Sequence, residues 1–215
     1  MASNKLKLIL ASKSPRRKEL LGYINIPFEI DSCDVEEVSD HTHPRNFCED
    51  ISAQKGRAVF QKRVRAANKN IFVISSDTIV FLNGVIYGKP KDRDDAKRIL
   101  KELSNKTHTV FTAVSFFFHD PLTKEVRSHS FSEETEVTFA EITNDLMEEY
   151  LNTGDSLDKA GAYGIQGPSL TFITSLNGSY SNVVGFPLNR VVEEMKTVLA
   201  IDDNESLKSQ FLLDL

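Results

Sequence analysis

The stretch IFVISSDTIVFLNGVIYG, residues 71–88, constrains the fold more than any other part of the chain. Asn83-Gly84 stands between two apolar segments and is a strong hairpin turn pair, so the stretch reads as a buried strand followed by a hairpin. One residue breaks the apolar pattern. Asp77 follows the run IFVIS and precedes another apolar run. A carboxylate in such surroundings needs a partner, a metal ion or a raised pKa, which makes the Asp77-Thr78 pair the first candidate for chemistry.

The rest of the chain alternates around this strand. A strand near 6–11 leads to a helix at 15–22 and a short strand around 27–31. The polar segment DVEEVSDHTHP then precedes a long helical stretch at 45–66. A helix at 92–103 has Ala96, Ile99, Leu100 and Leu103 at helical spacing. THTVFTAVSFFFHD and SFSEETEVTFAEI flank Asp120-Pro121-Leu122 and predict an extended antiparallel pair, with Phe116, Phe117 and Phe118 as packing residues. A helix near 143–151, a strand at 170–176, a turn at Asn177-Gly178 and a helix at 187–199 follow; the tail IDDNESLKSQFLLDL either docks or stays loose. Helices mixed with hairpins predict an α/β or mixed α+β fold on a mixed sheet, not a doubly wound parallel one. With no repeat, low-complexity tract or linker, residues 1–215 read as one domain.

Composition excludes several classes. No apolar stretch approaches the roughly 20 residues of a membrane span, and the first ten residues lack a signal-peptide pattern. A net charge of −5 argues against a nucleic-acid binder, though not against a local pocket for a small anion. Cys33 and Cys48 are too few for a disulfide framework, and a cytoplasmic chain with reduced thiols is the expectation. His41, His43 and Cys48 fit no zinc spacing and read as a loop entering a helix.

The helix opening at Pro15, capped by Ser14, carries Arg16, Arg17 and Lys18 in its first turn. Cations there are unfavourable by about 0.3–1 kcal/mol each. Two readings stand: the side chains fan into water, or an anion sits at the helix start, where backbone N–H groups and forked guanidinium donors suit phosphate. Asp34, Glu36 and Glu37 in CDVEE add carboxylates from a segment remote from Asp77, a donor type suited to a hard cation such as Mg²⁺. In EDISAQKGRAVF, Lys55 shares a helix face with Ile51, Ala58 and Val59; it either snorkels or enters a phosphate pocket. GVIYGKPKD fails as a P-loop, because Gly84 to Gly88 is one residue short and Pro90 replaces Ser or Thr, yet Lys89 remains a phosphate candidate. LDKAGAYGIQG offers Asp158, Lys159 and Gln166 among small residues, and an amide such as Gln166 can read a pyrimidine edge; the alternative is a tight structural loop. His108 reads as a strand residue.

LILASKSPRRKELL, SSDTIVFLNGVIYGKPKD, LSNKTHTVFTAV, GDSLDKAGAYGIQG and GSYSNVVGFPL together closely resemble the Maf nucleotide pyrophosphatases, in order, from about residue 6 to 192. The resemblance implies an elongated mixed sheet related to the inosine triphosphate pyrophosphatases, with two lobes around a cleft. It also implies divalent-metal-dependent hydrolysis, with Mg²⁺, Mn²⁺ or Co²⁺, of a nucleoside triphosphate to the monophosphate and pyrophosphate, in a house-cleaning role. A homodimer is a common arrangement of such proteins. The resemblance carries substrate binding onto Ser12, Arg16, Arg17, Lys55, Lys89 and Gln166, and catalysis or metal binding onto Asp77 and Glu37. Arg16, Lys55 and Gln166 match the branch that resembles dTTP/UTP pyrophosphatases. Ser76, Gly56, Ala113 and Pro168 depart from the usual pattern without removing a charged participant.

These residues together predict attack of a metal-activated water on the α-phosphorus. Asp77 is base or metal ligand, Glu37 is the other metal carboxylate, and the cations offset triphosphate charge. Two other readings stay open: a non-catalytic nucleotide-binding regulator of cell division, and a purine-directed triphosphate pyrophosphatase.

Overall fold

The computed structural model describes residues 5–66, 70–120, 123, 125–202 and 204–213. Seven strands form one mixed sheet: β1 (Lys7–Leu10), β2 (Phe28–Ile30), β3 (Ile71–Leu82), β4 (Val85–Tyr87), β5 (Thr107–His119), β6 (Val126–Phe139) and β7 (Ile173–Asn177). Their order is β2-β1-β3-β5-β6-β7, with β4 hairpinned onto β3. The β1 pairings with β2 and β3 are parallel, and the remaining pairings are antiparallel.

One edge of β3 is divided. Its first part, Ile71–Ile74, pairs with β1, and its last part, Val80–Leu82, pairs with β4. Among the described residues no strand covers 75–79 on that edge, whereas β5 runs unbroken along the opposite edge from Phe72 to Phe81. The fold therefore parts into two lobes on one side of a continuous backbone, with Asp77 at the floor of the opening.

Alternation along the strands fixes what lies on each face. Ile9, Val73 and Phe117 pack against Val59 and Phe60 of α2 (Pro44–Arg65). On the other face Leu8, Leu10, Phe72, Ile74, Phe116 and Phe118 meet α1 (Pro15–Gly22), α5 (Tyr180–Val184) and α6 (Leu188–Val198). A second core joins the hairpin end to α3 (Arg93–Leu103) and α4 (Asn144–Asn152). Gly56 is a departure with a steric reason: a Cβ there would lie 2.8 Å from the Phe117 ring, so glycine lets α2 approach the sheet.

The sequence-based elements are present with small shifts; two points differ, and the open question of the tail is resolved. Pro168–Thr171 forms a short 3-10 turn, so β7 begins only at Ile173. The five-residue helix α5 in SYSNVVG has no counterpart in the sequence reading; Ser179 caps it and Gly185, at φ 109°, ends it. The tail docks: Leu6 N–H donates to Gln210 O, Leu212 N–H donates to Leu6 O, and the Phe211 ring is buried edge-on against Phe72. Pro121 and Leu122 of the predicted β5–β6 turn lie outside the described residues, although Asp120 N–H donates to Glu125 O across it.

His108 is indeed a strand residue, buried on β5 with its Nε2 2.7 Å from the Tyr163 hydroxyl. Burial pulls its pKa down to about 4. The unfolded chain protonates this histidine near 6.5, so between those values it binds one proton more than the folded chain. Stability from this residue is full above about pH 6.5 and falls by about 1.4 kcal/mol per unit as pH drops toward 4. The urea midpoint is expected to fall between pH 7 and pH 5, and His108→Gln is expected to flatten that decline.

Candidate active site

Two turns of α2 place Cys48 and Lys55 on the same helix face, seven residues apart, above the middle of β3. Asp77 projects from β3 toward that face. Lys55 Nζ lies 2.6 Å from Asp77 Oδ1 and 2.8 Å from Glu37 Oε1, so one ammonium spans both carboxylates. Glu37 comes from the irregular segment between β2 and α2, and half of its side chain stays exposed. The fully buried Cys48 thiol donates to the Asp77 carbonyl at 3.3 Å, and its sulfur is 3.9 Å from Asp77 Oδ2. Burial, reinforced by the Asp77 charge, pushes the thiol well above its ordinary value, so it stays protonated and fixes the backbone under the acid.

The cationic helix start divides into three fates. Lys18 is exposed. Arg16 Nη1 pairs with Asp158 Oδ2 at 3.0 Å across the cleft. Arg17 turns inward: Nε donates to Gly185 O at 2.9 Å, Nη1 to Ser76 O at 2.8 Å and Ser12 Oγ at 3.4 Å, and Nη2 to Thr78 Oγ1 at 3.1 Å. The Ile74 carbonyl accepts from Ala11 N–H at the end of the β1 pairing. The Ser76 carbonyl, two residues on and with no strand beside it, accepts from Arg17 instead. Loss of hydration lowers the Arg17 pKa and the Asp77 charge pulls it back, leaving a cation held by protein acceptors. Of the two sequence readings, neither water nor an anion alone accounts for this arginine.

The cleft has two chambers. The larger, of about 580 Å³, has an apolar wall that includes Ile79, Val80, Ile86, Val110 and Val183, with Gln166 and Lys89 among its polar residues, and it shares Arg16, Arg17, Lys55, Lys89 and Glu37 with the second. The other, of about 420 Å³, is lined by Ser12, Ser14, Arg16, Arg17 and Lys89 together with Glu37 and Lys55. Asp77 lines the larger chamber. The eight residues selected from the sequence thus surround one opening. Gln166 and Lys89 are held on one unit, because Gly161 N–H donates to Gly88 O and ties the GKP turn to the AGAYGIQG loop.

The acidic pair fits a hard divalent cation. Its donors are all oxygens, they converge on a point that already accepts a positive charge, and Mg²⁺-like ions use one or two carboxylates with substrate phosphates and water. Among the described residues no three His, Cys, Asp or Glu side chains form a fuller ligand set, His41, His43 and Cys48 included.

A chamber with an apolar wall, joined through shared arginines and lysines to a second one and floored by paired carboxylates, defines a mixed-sheet protein with a charged cleft between its lobes. More particularly, the chain belongs to the Maf-like protein family, whose model matches residues 7–198. It is 42% identical over 191 residues to a dTTP/UTP pyrophosphatase of Bacillus cereus (strain G9842), covering 88% of this chain and 94% of that one. It is 39% identical over 191 residues to the dTTP/UTP pyrophosphatase of Thermoanaerobacter sp. (strain X514), covering 89% and 96%. It is 39% identical over 198 residues to that of Agathobacter rectalis (strain ATCC 33656 / DSM 3377 / JCM 17463 / KCTC 5835 / VPI 0990), covering 88% and 96%.

Sequence reasoning passed over Cys48 as part of the site, although its helical spacing from Lys55 was a usable signal. It gave no sign of Thr78 and Gly185 as acceptors for Arg17, since they lie 61 and 168 residues away. Arg17→Met leaves the Ser76 carbonyl without its donor and the Gly185 carbonyl with the Ser76 hydroxyl alone, and is expected to cost about 2 kcal/mol in urea unfolding. Arg17→Lys is expected to recover little of this, because one ammonium cannot reach acceptors arranged for a fork.

Proposed function

We propose that this chain hydrolyses dTTP and UTP, and modified pyrimidine triphosphates of the same shape, to the nucleoside monophosphate and pyrophosphate. The observation that carries the reading is the Lys55 bridge between Asp77 and Glu37, set where the two chambers meet. The names of the similar bacterial proteins support the same reading. The pyrimidine head enters the larger chamber along its apolar wall, where the Gln166 amide offers a donor and an acceptor to its edge. Arg16, Lys89 and Ser12 take the phosphate oxygens. Arg17, with most of its donors already committed, contributes its charge and holds the chamber wall rather than releasing its fork to the substrate.

Asp77 Oδ1 is tied to Lys55, which leaves Oδ2 to accept a proton from the water that attacks the α-phosphorus. The Lys55 ammonium, 2.6 Å from Asp77, limits repulsion between the acid and the incoming phosphates. A divalent cation such as Mg²⁺, Mn²⁺ or Co²⁺ would be held by Glu37 and Asp77 and would supply neutralising charge to the phosphate oxygens and lower the pKa of water. Arg16 and Lys89 offset the charge that gathers on the departing pyrophosphate. We place this activity in the cytoplasm, where the triphosphate pool lies; among the described residues no helix is long and apolar enough to cross a membrane. A homodimer of one-domain subunits without nucleic acid is the assembly we propose.

The test is pyrophosphate release over a panel of common and modified triphosphates. Pyrimidine substrates are expected to lead; a purine leading instead would assign the same chemistry to another base, and no turnover of any member would leave a nucleotide-binding regulator. Asp77→Asn is expected to lower kcat by about 10²–10⁴-fold with thermal stability retained. A chelator is expected to abolish turnover, and Mg²⁺, Mn²⁺ or Co²⁺ to restore it.

A further inference from the structure

A carboxylate lining a cleft for a polyanion repels the substrate unless it is committed elsewhere. Asp158 lines both chambers, and each of its oxygens is committed: Oδ2 to Arg16 Nη1 at 3.0 Å and Oδ1 to Lys159 Nζ at 2.6 Å. Lys159 also lines the larger chamber, but its three ammonium donors are used within its own loop, the other two on Asp155 O at 2.7 Å and Asp155 Oδ1 at 2.9 Å. Its alkyl stem lies against the backbone at Gly164, where a Cβ would come within 2.5 Å of Lys159 Cδ and Cε. Asp155 Oδ2 in turn accepts from the Tyr150 hydroxyl. Lys159 is therefore a clamp that closes the loop carrying Gln166, not a phosphate ligand.

Among the described residues, the Arg16–Asp158 pair is the one hydrogen bond between α1 and this loop. It uses Arg16 Nη1 and leaves Nε and Nη2 without an acceptor among the described residues. We propose that Asp158 is a positioning residue that couples the phosphate-binding arginine to the base-recognition loop, so that a head seated against Gln166 presets Arg16 for the phosphates. This rests on the site reading given above. The coupling runs through one carboxylate: Lys159 holds Asp158 Oδ1 from the loop side, and Arg16, in the first turn of α1, holds Oδ2. A pyrimidine that seats correctly against this loop meets Arg16 already held at the phosphate side through Asp158, and a head that displaces the loop loses that placement.

The test compares Asp158→Asn, Asp158→Glu, Arg16→Met and the Arg16→Met/Asp158→Asn double variant, with dTTP, UTP and a purine triphosphate as substrates and thermal unfolding as the folding control. Asp158 is more than half exposed, so the effect is modest. Asp158→Asn is expected to raise KM for the pyrimidine substrates about five-fold with kcat nearly unchanged, and to lower the pyrimidine-to-purine ratio of kcat/KM by a similar factor. Asp158→Glu, which keeps the charge, is expected to recover part of both. In the Arg16→Met background Asp158→Asn is expected to have no further effect on KM. Equal losses for pyrimidine and purine substrates, or a full Asp158→Asn effect without Arg16, overturn the coupling while the site reading stands. If Arg16→Met itself leaves KM and kcat unchanged, the site reading and the coupling fall together.

Discussion

The guanidinium of Arg17 stands in for a missing strand. Between the end of the β1 pairing and the start of the β4 hairpin, the edge of β3 opens, and the Ser76 carbonyl there has no ladder donor beside it. A buried carbonyl left alone costs about 1–3 kcal/mol. One rigid fork answers it and reaches Gly185 O and Thr78 Oγ1 as well, so α1, β3 and the end of α5 meet on a single side chain. The cleft depends on this arrangement. A continuous strand would have covered Asp77, and an unsupported gap would have cost the sheet its stability.

The two faces of β3 divide the labour. The face toward α2 carries Asp77 with Lys55, Cys48 and Glu37, an anionic cluster balanced by one ammonium. The opposite face carries Ser76 and Thr78 with Arg17, a cationic group balanced by neutral acceptors. Opposite charges are thus brought to neighbouring positions on one strand without pairing directly. The charge of each face is set beside the same cleft, although the Arg17 fork itself is spent on protein acceptors.

How much of this was legible in the sequence depended on how far each residue's partners lie along the chain. Asp77 was conspicuous because an acid in an apolar run is a thermodynamic anomaly that local sequence alone exposes. Lys55 was legible as a lysine on an inward face, through helical spacing. Glu37 sits in irregular backbone with no period to read, and only resemblance to relatives singled it out. The inward turn of Arg17 was not legible, because its acceptors belong to β3 and to residue 185 and become neighbours only after folding. The helix α5 escaped notice because five residues hold too little periodicity, and β7 was started early because Pro168 initiates a short turn where an apolar pattern suggested strand.

The docking of the tail has a consequence for the evolution of length in such chains. The family match ends at residue 198, yet Phe211 fills a place in the main core beside Phe72, and residues 210–212 exchange backbone hydrogen bonds with Leu6. The extension behaves as a molecular bookend, sealing the entrance of the first strand from outside the matched region. A descendant shortened to the matched length would bare an aromatic socket and loosen the strand from which the arginine helix springs, so drift in an apparently dispensable appendage would be felt in the cleft.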